Sequence, residues 1–169
     1  MNLDAPLQIS PVDLARDDDA RAVVELLDDY SRTEFGAGAP LATDVAARLI
    51  DGLKGMPTYR GWIARLDGRP VGLVNAFIGF STFLAAPLLN LHDVTVRAEA
   101  RRRGIARRLI ERAIAEARAE GCCRVTLEVR SDNQGAATLY RQLGFGSQAP
   151  AGIDYEFLTL PLVDGAVDG

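Results

Sequence analysis

Histidine occurs once, at His92, and cysteine only as the adjacent pair Cys122 and Cys123 in a chain of 169 residues. A single histidine excludes any mechanism that needs two, and no CxxC spacing is present for zinc, so no metal site is expected. Two neighbouring thiols make a poor structural staple, and a reduced, cytoplasmic setting is expected. No apolar run approaches the roughly 20 residues that span a bilayer. Met1 to Pro11 lacks the basic start and apolar stretch of a signal peptide, so no membrane association is expected. An excess of positive charge is missing too. Lys and Arg number 19 against 23 Asp and Glu, a net charge of -4, which argues against general affinity for nucleic acid. What remains is ordinary for a globular domain: 48% hydrophobic and 25% charged residues, enough for one substantial core.

Periodicity divides the chain into short elements. Leu7 to Val12 reads as a strand. Asp17-Asp18-Asp19 opens a helix that carries Val23, Leu26, Leu27 and Tyr30, and acid at that end suits the helix dipole. Gly36 to Pro40 breaks it. Thr43 or Asp44 caps a second helix with Val45, Leu49, Ile50 and Leu53 on its apolar stripe. Tyr59 to Leu66 and Val71 to Phe80 flank the hairpin signal Asp67-Gly68. Leu88 to Arg97 is a further strand, with Leu89 and Leu91 on one face and Val94 and Val96 on the other. Ile105 to Glu120 is the clearest helix and Gly121 stops it. Arg124 to Arg130 alternates as a strand, Gln134 to Leu143 is helical, and Tyr155 to Leu160 is a last strand. The order β-α-α-β-β-β-α-β-α-β predicts one α/β domain with a mixed sheet, spanning residues 1–169 without an internal repeat or linker. The strand-helix-strand unit from 88 to 130 predicts a parallel pair with a crossover helix.

The chemistry concentrates between Leu88 and Phe145. Arg101-Arg102-Arg103-Gly104-Ile105-Ala106 is a basic turn between a strand and a helix. Amides in a helix's first turn lack partners within the helix, and the dipole adds positive potential there. Gly104 and Ala106 let an anion approach the backbone closely. An arginine run by itself is most simply a solvated helix end. Cations at a helix N-terminus are nevertheless unfavourable by roughly 0.3–1 kcal/mol unless an anion is present. The turn is neither a P-loop nor a three-glycine dinucleotide site.

Arg101-x-x-Gly104-x-Ala106 resembles the Arg/Gln-x-x-Gly-x-Gly/Ala signature of the GNAT superfamily of N-acetyltransferases. Asp93-Val94-Thr95-Val96 lies just upstream. Asn133 to Phe145 resembles the family's Asn-x-x-Ala-x-x-Leu-Tyr-x-x-x-Gly-Phe segment, with Ala136 in the alanine slot. Three matched elements stand in the family's order, whereas the first 80 residues match only in the order of their elements. The resemblance implies a GNAT-like fold, with helices on both faces of a central mixed sheet that splays at a bulge to admit coenzyme A. It divides the domain into an acceptor-side half (1–87), an acetyl-CoA-binding core (88–145), a final strand region (146–163) and a tail (164–169).

It also implies roles. Val94, Thr95 and Val96 would pair with the pantetheine arm, and the Val96 N–H would polarise the thioester carbonyl. Arg101, Arg102, Arg103, Gly104, Ile105, Ala106 and Arg107 would hold the pyrophosphate. Asn133 would bond the arm or position the following helix, and Tyr140 would protonate the coenzyme A thiolate. A phenol with a pKa near 10 can donate to a thiolate with a pKa near 8.5. For the base, Asp93, His92, Glu128 or a water chain ending on Asp93 stay open, with Asp93 favoured. Tyr30, Phe35 and the Phe80-Ser81-Thr82-Phe83 stretch are candidates for the acceptor side, Tyr30, Phe80 and Thr82 foremost; each could equally be core packing. The expected activity is acetyl transfer from acetyl-CoA to a primary amine of a small molecule, peptide or protein. A non-catalytic coenzyme A sensor of the same fold is the alternative. It would need only the phosphate turn, and so leaves Tyr140 and Asn133 unexplained. Glu111, Glu116 and Glu120, interleaved with the arginines, speak against nucleic acid binding. A homodimer is compatible with exposed strand edges.

Overall fold

The computed structural model describes residues 5–147 and 162. The last expected strand, Tyr155 to Leu160, lies outside them. The elements run β1 (Gln8–Pro11), α1 (Asp17–Ser31), α2 (Thr43–Lys54), β2 (Tyr59–Leu66), β3 (Arg69–Ser81), β4 (Ala86–Val96), α3 (Ile105–Ala119), β5 (Val125–Leu127) and α4 (Gln134–Gln142). One 3-10 turn, Ala98–Ala100, precedes α3.

The five strands form a sheet in the order β1-β2-β3-β4-β5. The first four pair antiparallel and β4 pairs β5 in parallel, with α3 as the crossover. Val71, Val74, Ala76, Leu89 and Leu91 meet Ile105, Leu109, Ile110 and Ala113 of α3 on one face. Ile63 and Leu73 meet Ala22, Val23 and Leu26 of α1 on the other, with α2 adding Ile50 and Leu53. Helices cover both faces, as the apolar stripes require.

Two expectations change. Leu89, Leu91, Val94 and Val96 all pack towards the α3 core, where simple alternation divides them between faces. The register explains this. Asn75 pairs with Asp93 and Ala76 with Leu91, so His92 is an extra residue on β4. A bulge of one residue resets the alternation. β5 is also shorter than Arg124 to Arg130: among the described residues only Val125–Leu127 pairs, with β4.

Candidate active site

A strand pair that separates halfway leaves a wedge walled by backbone. β4 is paired to β5 only at Leu89, Asn90 and Leu91. Among the described residues, Asp93 to Val96 are paired to β3 alone. Arg97 N–H donates to Val71 C=O on β3 at 2.9 Å. Alternation along the strand then turns the N–H and C=O groups of Val94 and Val96 to the opposite edge, into the wedge. Arg101 Nε–H donates to the Val96 carbonyl at 3.0 Å and straps the turn to the strand end. Thr95, buried, lies between them with its backbone on the β3 side.

Where the wedge opens, the chain enters α3. Arg102 has φ 62° and Gly104 φ 74°, both left-handed. Glycine adopts that conformation freely, whereas Arg102 holds it at roughly 1–2 kcal/mol, a strain typical of functional turns. Arg108 N–H donates to Gly104 C=O at 3.1 Å. The amides of Ile105, Ala106 and Arg107 therefore precede the helix's own ladder. The first turn of α3 holds no acid, whereas α1 begins with Asp17, Asp18 and Asp19. Arg101, Arg102, Arg103 and Arg108 are exposed around it. Arg107 donates to Gln142 Oε1 at 2.6 Å and ties α3 to α4.

Asn133 caps α4, its Oδ1 accepting the Ala136 N–H at 3.1 Å. Tyr140, farther along that helix, packs against the α3 core with its ring edge-on to Phe145 at 5.9 Å. Burial and then the Tyr30 phenol push the Tyr140 hydroxyl up to about 12. Such a group keeps its proton near neutral pH and can donate a hydrogen bond.

Asp93 lies on the α1/α2 face. Its Oδ2 accepts Asn75 Nδ2–H at 3.0 Å, and its Oδ1 is 3.7 Å from His92 Nδ1. The Asp93 carboxylate raises the His92 imidazole above its ordinary pKa, against the opposing effect of burial, with a smaller contribution from Glu128. His92 sits edge-on to Phe77 at 5.7 Å. The Tyr30 phenol is raised by burial and then by Asp93, and its hydroxyl donates to Phe35 C=O at 3.0 Å. Arg130 secures that same loop, donating to Glu34 C=O at 2.9 Å and lying over the Phe35 ring. Electrostatic coupling links Asp93 to His92 and to Tyr30, and Tyr30 to Tyr140.

Phe80 and Thr82 do not join them. β3 pairs with β2 only as far as Phe77, and the end of the β3–β4 hairpin is held instead from the β5 side, where Cys123 N–H donates to Pro87 C=O at 2.8 Å and Arg124 Nη2–H to Ser81 Oγ at 3.3 Å. Phe80 is exposed there, on the α3 side by alternation, and Thr82 is exposed in the turn. Asn75 and Tyr59 are further polar groups on the face of Asp93, and the asparagine inside the apolar run Val71 to Phe80 is the sequence feature that marks them. The cysteines line a separate groove of about 690 Å3 along β5, which shares Tyr140 with the wedge but none of Asp93 to Val96. Burial raises the Cys122 thiol, the wrong direction for a nucleophile. Among the described residues no cluster of His, Cys, Asp or Glu is arranged to hold a metal ion.

A family model, the Acetyltransferase (GNAT) family, matches residues 21–145. The chain belongs to the GNAT acetyltransferase family. It is 32% identical to N-acetyltransferase 8F1 of Rattus norvegicus over 117 residues, covering 66% of this chain and 53% of that protein. The chain spans less than two thirds of each of the curated relatives it matches. A solved structure of a probable acetyltransferase superposes with a TM-score of 0.75 at 23% identity, covering 93% of this chain and 99% of that one. The ribosomal-protein-alanine N-acetyltransferase of Brucella melitensis biovar Abortus 2308 gives 0.69 at 18% identity, covering 89% and 100%. At these identities the structural likeness speaks for the fold of this GNAT chain.

Proposed function

We propose that this protein moves an acetyl group from acetyl-CoA to a primary amine of a small molecule, peptide or protein, directly and in a cytoplasmic setting. The observation that carries the reading is the continuity of two features: Val94 and Val96 backbone groups facing an open strand edge, and a cationic left-handed turn at the start of α3. The amides from Arg102 to Arg107, with Arg101 and its neighbours, hold the pyrophosphate. The backbone of Val94 to Val96 aligns the pantetheine arm, and the Val96 N–H stabilises negative charge as it develops on the thioester oxygen. Asn133 fixes the start of α4 and thereby the place of Tyr140.

The new C–N bond forms as the C–S bond breaks. Asp93, directly or through water, takes the proton lost by the amine, and Tyr140 gives its proton to the departing thiolate. No acyl-enzyme is needed, since both thiols lie off the wedge. The amine enters from the α1 side, past Tyr30 and His92. No described helix is long and apolar enough to cross a membrane, and none of these steps needs one.

Free-thiol release from acetyl-CoA, measured against a panel of peptide N-termini, lysine, polyamines and aminoglycosides, tests the reading. Amine-dependent release that disappears in Tyr140→Phe is expected. Folded protein that releases thiol with none of the amines would overturn it.

A further inference from the structure

Register places three residues in one row across the sheet. Gly61 of β2 pairs with Asn75 of β3, and Asn75 pairs with Asp93 of β4. Tyr59, two residues before Gly61, projects from the same face of β2. A Cβ on Gly61 would lie 2.3 Å from the Tyr59 hydroxyl oxygen. The phenol therefore crosses the strand directly over this glycine, and only a residue without a side chain admits it.

From there Tyr59 Oη–H donates to Asn75 Oδ1 at 2.9 Å, and Asn75 Nδ2–H donates to Asp93 Oδ2 at 3.0 Å. Chemistry fixes the direction of both bonds. A carboxylate only accepts, so the amide must turn its NH2 towards Asp93, which leaves its oxygen for Tyr59 and makes Tyr59 the donor. Burial, and then the charge of Asp93, raise the Tyr59 phenol, so it keeps that proton. Asn75 is 2% exposed. A buried amide is costly unless both of its ends are paired, and here both are. The extra residue His92 puts Asp93, rather than its neighbour, opposite this amide.

We propose that Asn75, backed by Tyr59 lying over Gly61, is a positioning residue that anchors the Asp93 carboxylate by Oδ2 and leaves Oδ1 for the acceptor side. This rests on the reading of Asp93 as the group that receives the amine proton. The anchor keeps the carboxylate from closing on His92, which stands 3.7 Å from Oδ1, beyond hydrogen-bond distance. Asp93 then stays available to the amine instead of being spent on the imidazole.

His92 is the sole histidine, so its NMR titration in the full chain reports on Asp93 without any acceptor. In Asn75→Leu, which keeps the branched skeleton without polar atoms, the released carboxylate turns onto His92. The imidazole midpoint should rise by about half a pH unit, roughly threefold tighter proton binding. Tyr59→Phe and Gly61→Ala should move it the same way by less, and they carry the test if Asn75→Leu does not fold. In an Asp93→Asn background, Asn75→Leu should add no shift. A folded Asn75→Leu with an unmoved or lowered midpoint, or an equal shift without Asp93, would overturn the anchor. Amine-dependent thiol release from acetyl-CoA should fall about tenfold in Asn75→Leu. A raised midpoint with thiol release at the unaltered rate would instead overturn the base role of Asp93 and leave the anchor standing.

Discussion

The two halves of β4 have similar composition and opposite fates. Leu89, Asn90 and Leu91 are bracketed by β3 and β5, and Asn90 Nδ2–H donates across to Thr126 Oγ1 at 3.1 Å. Asp93 to Val96 have β3 on one edge and the wedge on the other. In the closed half the backbone is consumed by its neighbours. In the open half the Val94 groups and the Val96 N–H face the wedge, where among the described residues no strand pairs with them, while the Val96 C=O is taken by Arg101 Nε–H; polar backbone so placed calls for water or a ligand. A single bulge and the early end of β5 turn the same strand from wall into site.

That contrast can be broken from either side. The largest effect is expected at Tyr140, across the open half. Tyr140→Phe should lower kcat by about 10²–10⁴-fold with little change in KM for acetyl-CoA, read by steady-state thiol release. With the phenol pushed up to about 12, the alkaline limb due to Tyr140 should lie well above pH 10. The sign for stability follows. The native state holds this proton more tightly than the unfolded chain, so the contribution is full below pH 10 and is lost as pH rises from 10 towards 12. Urea midpoints of the unaltered protein and Tyr140→Phe across that range check it.

Next is Val96→Pro. The Val96 N–H faces the wedge, so proline there removes a wedge donor and no ladder bond. A fall in kcat of about 10²–10³-fold at nearly unchanged thermal midpoint is expected. Equal losses of activity and fold would mean that the Val96 N–H serves the sheet. Smaller still is Gly104→Ala. A side chain at φ 74° costs roughly 1–2 kcal/mol, and acetyl-CoA affinity should weaken about tenfold by calorimetry as the turn relaxes. The smallest effect belongs to the closed half. Asn90→Ala should cost about 1 kcal/mol in urea unfolding and leave kcat intact.

Local spacing made much of this legible in the sequence. The basic turn and the stripe of α3 depend on residues within a few positions of one another, and each stands where spacing puts it. What escaped depends on distant register. The bulge at His92 exists only relative to β3, so no reading of β4 alone could bring Val94 and Val96 onto the face of Leu89 and Leu91. Alternation continues through Arg130, but among the described residues pairing stops at Leu127, where β4 and β5 diverge. Phe80 and Thr82 stand away from Asp93 because the ladder sets Phe80 opposite Pro87, five residues along β3 from the Asn75–Asp93 pair, and puts Thr82 in the turn beyond it. Asn75 was visible as an oddity in an apolar run, yet its partners come from two other strands.

Isothermal titration of the full chain with acetyl-CoA, repeated on Val96→Pro and Gly104→Ala, tests the wedge and turn most directly. One site per chain is expected, weakened by both substitutions and unchanged by Asn90→Ala. Absence of heat and of any thermal shift on well-folded protein, or binding indifferent to both open-half substitutions, would contradict it.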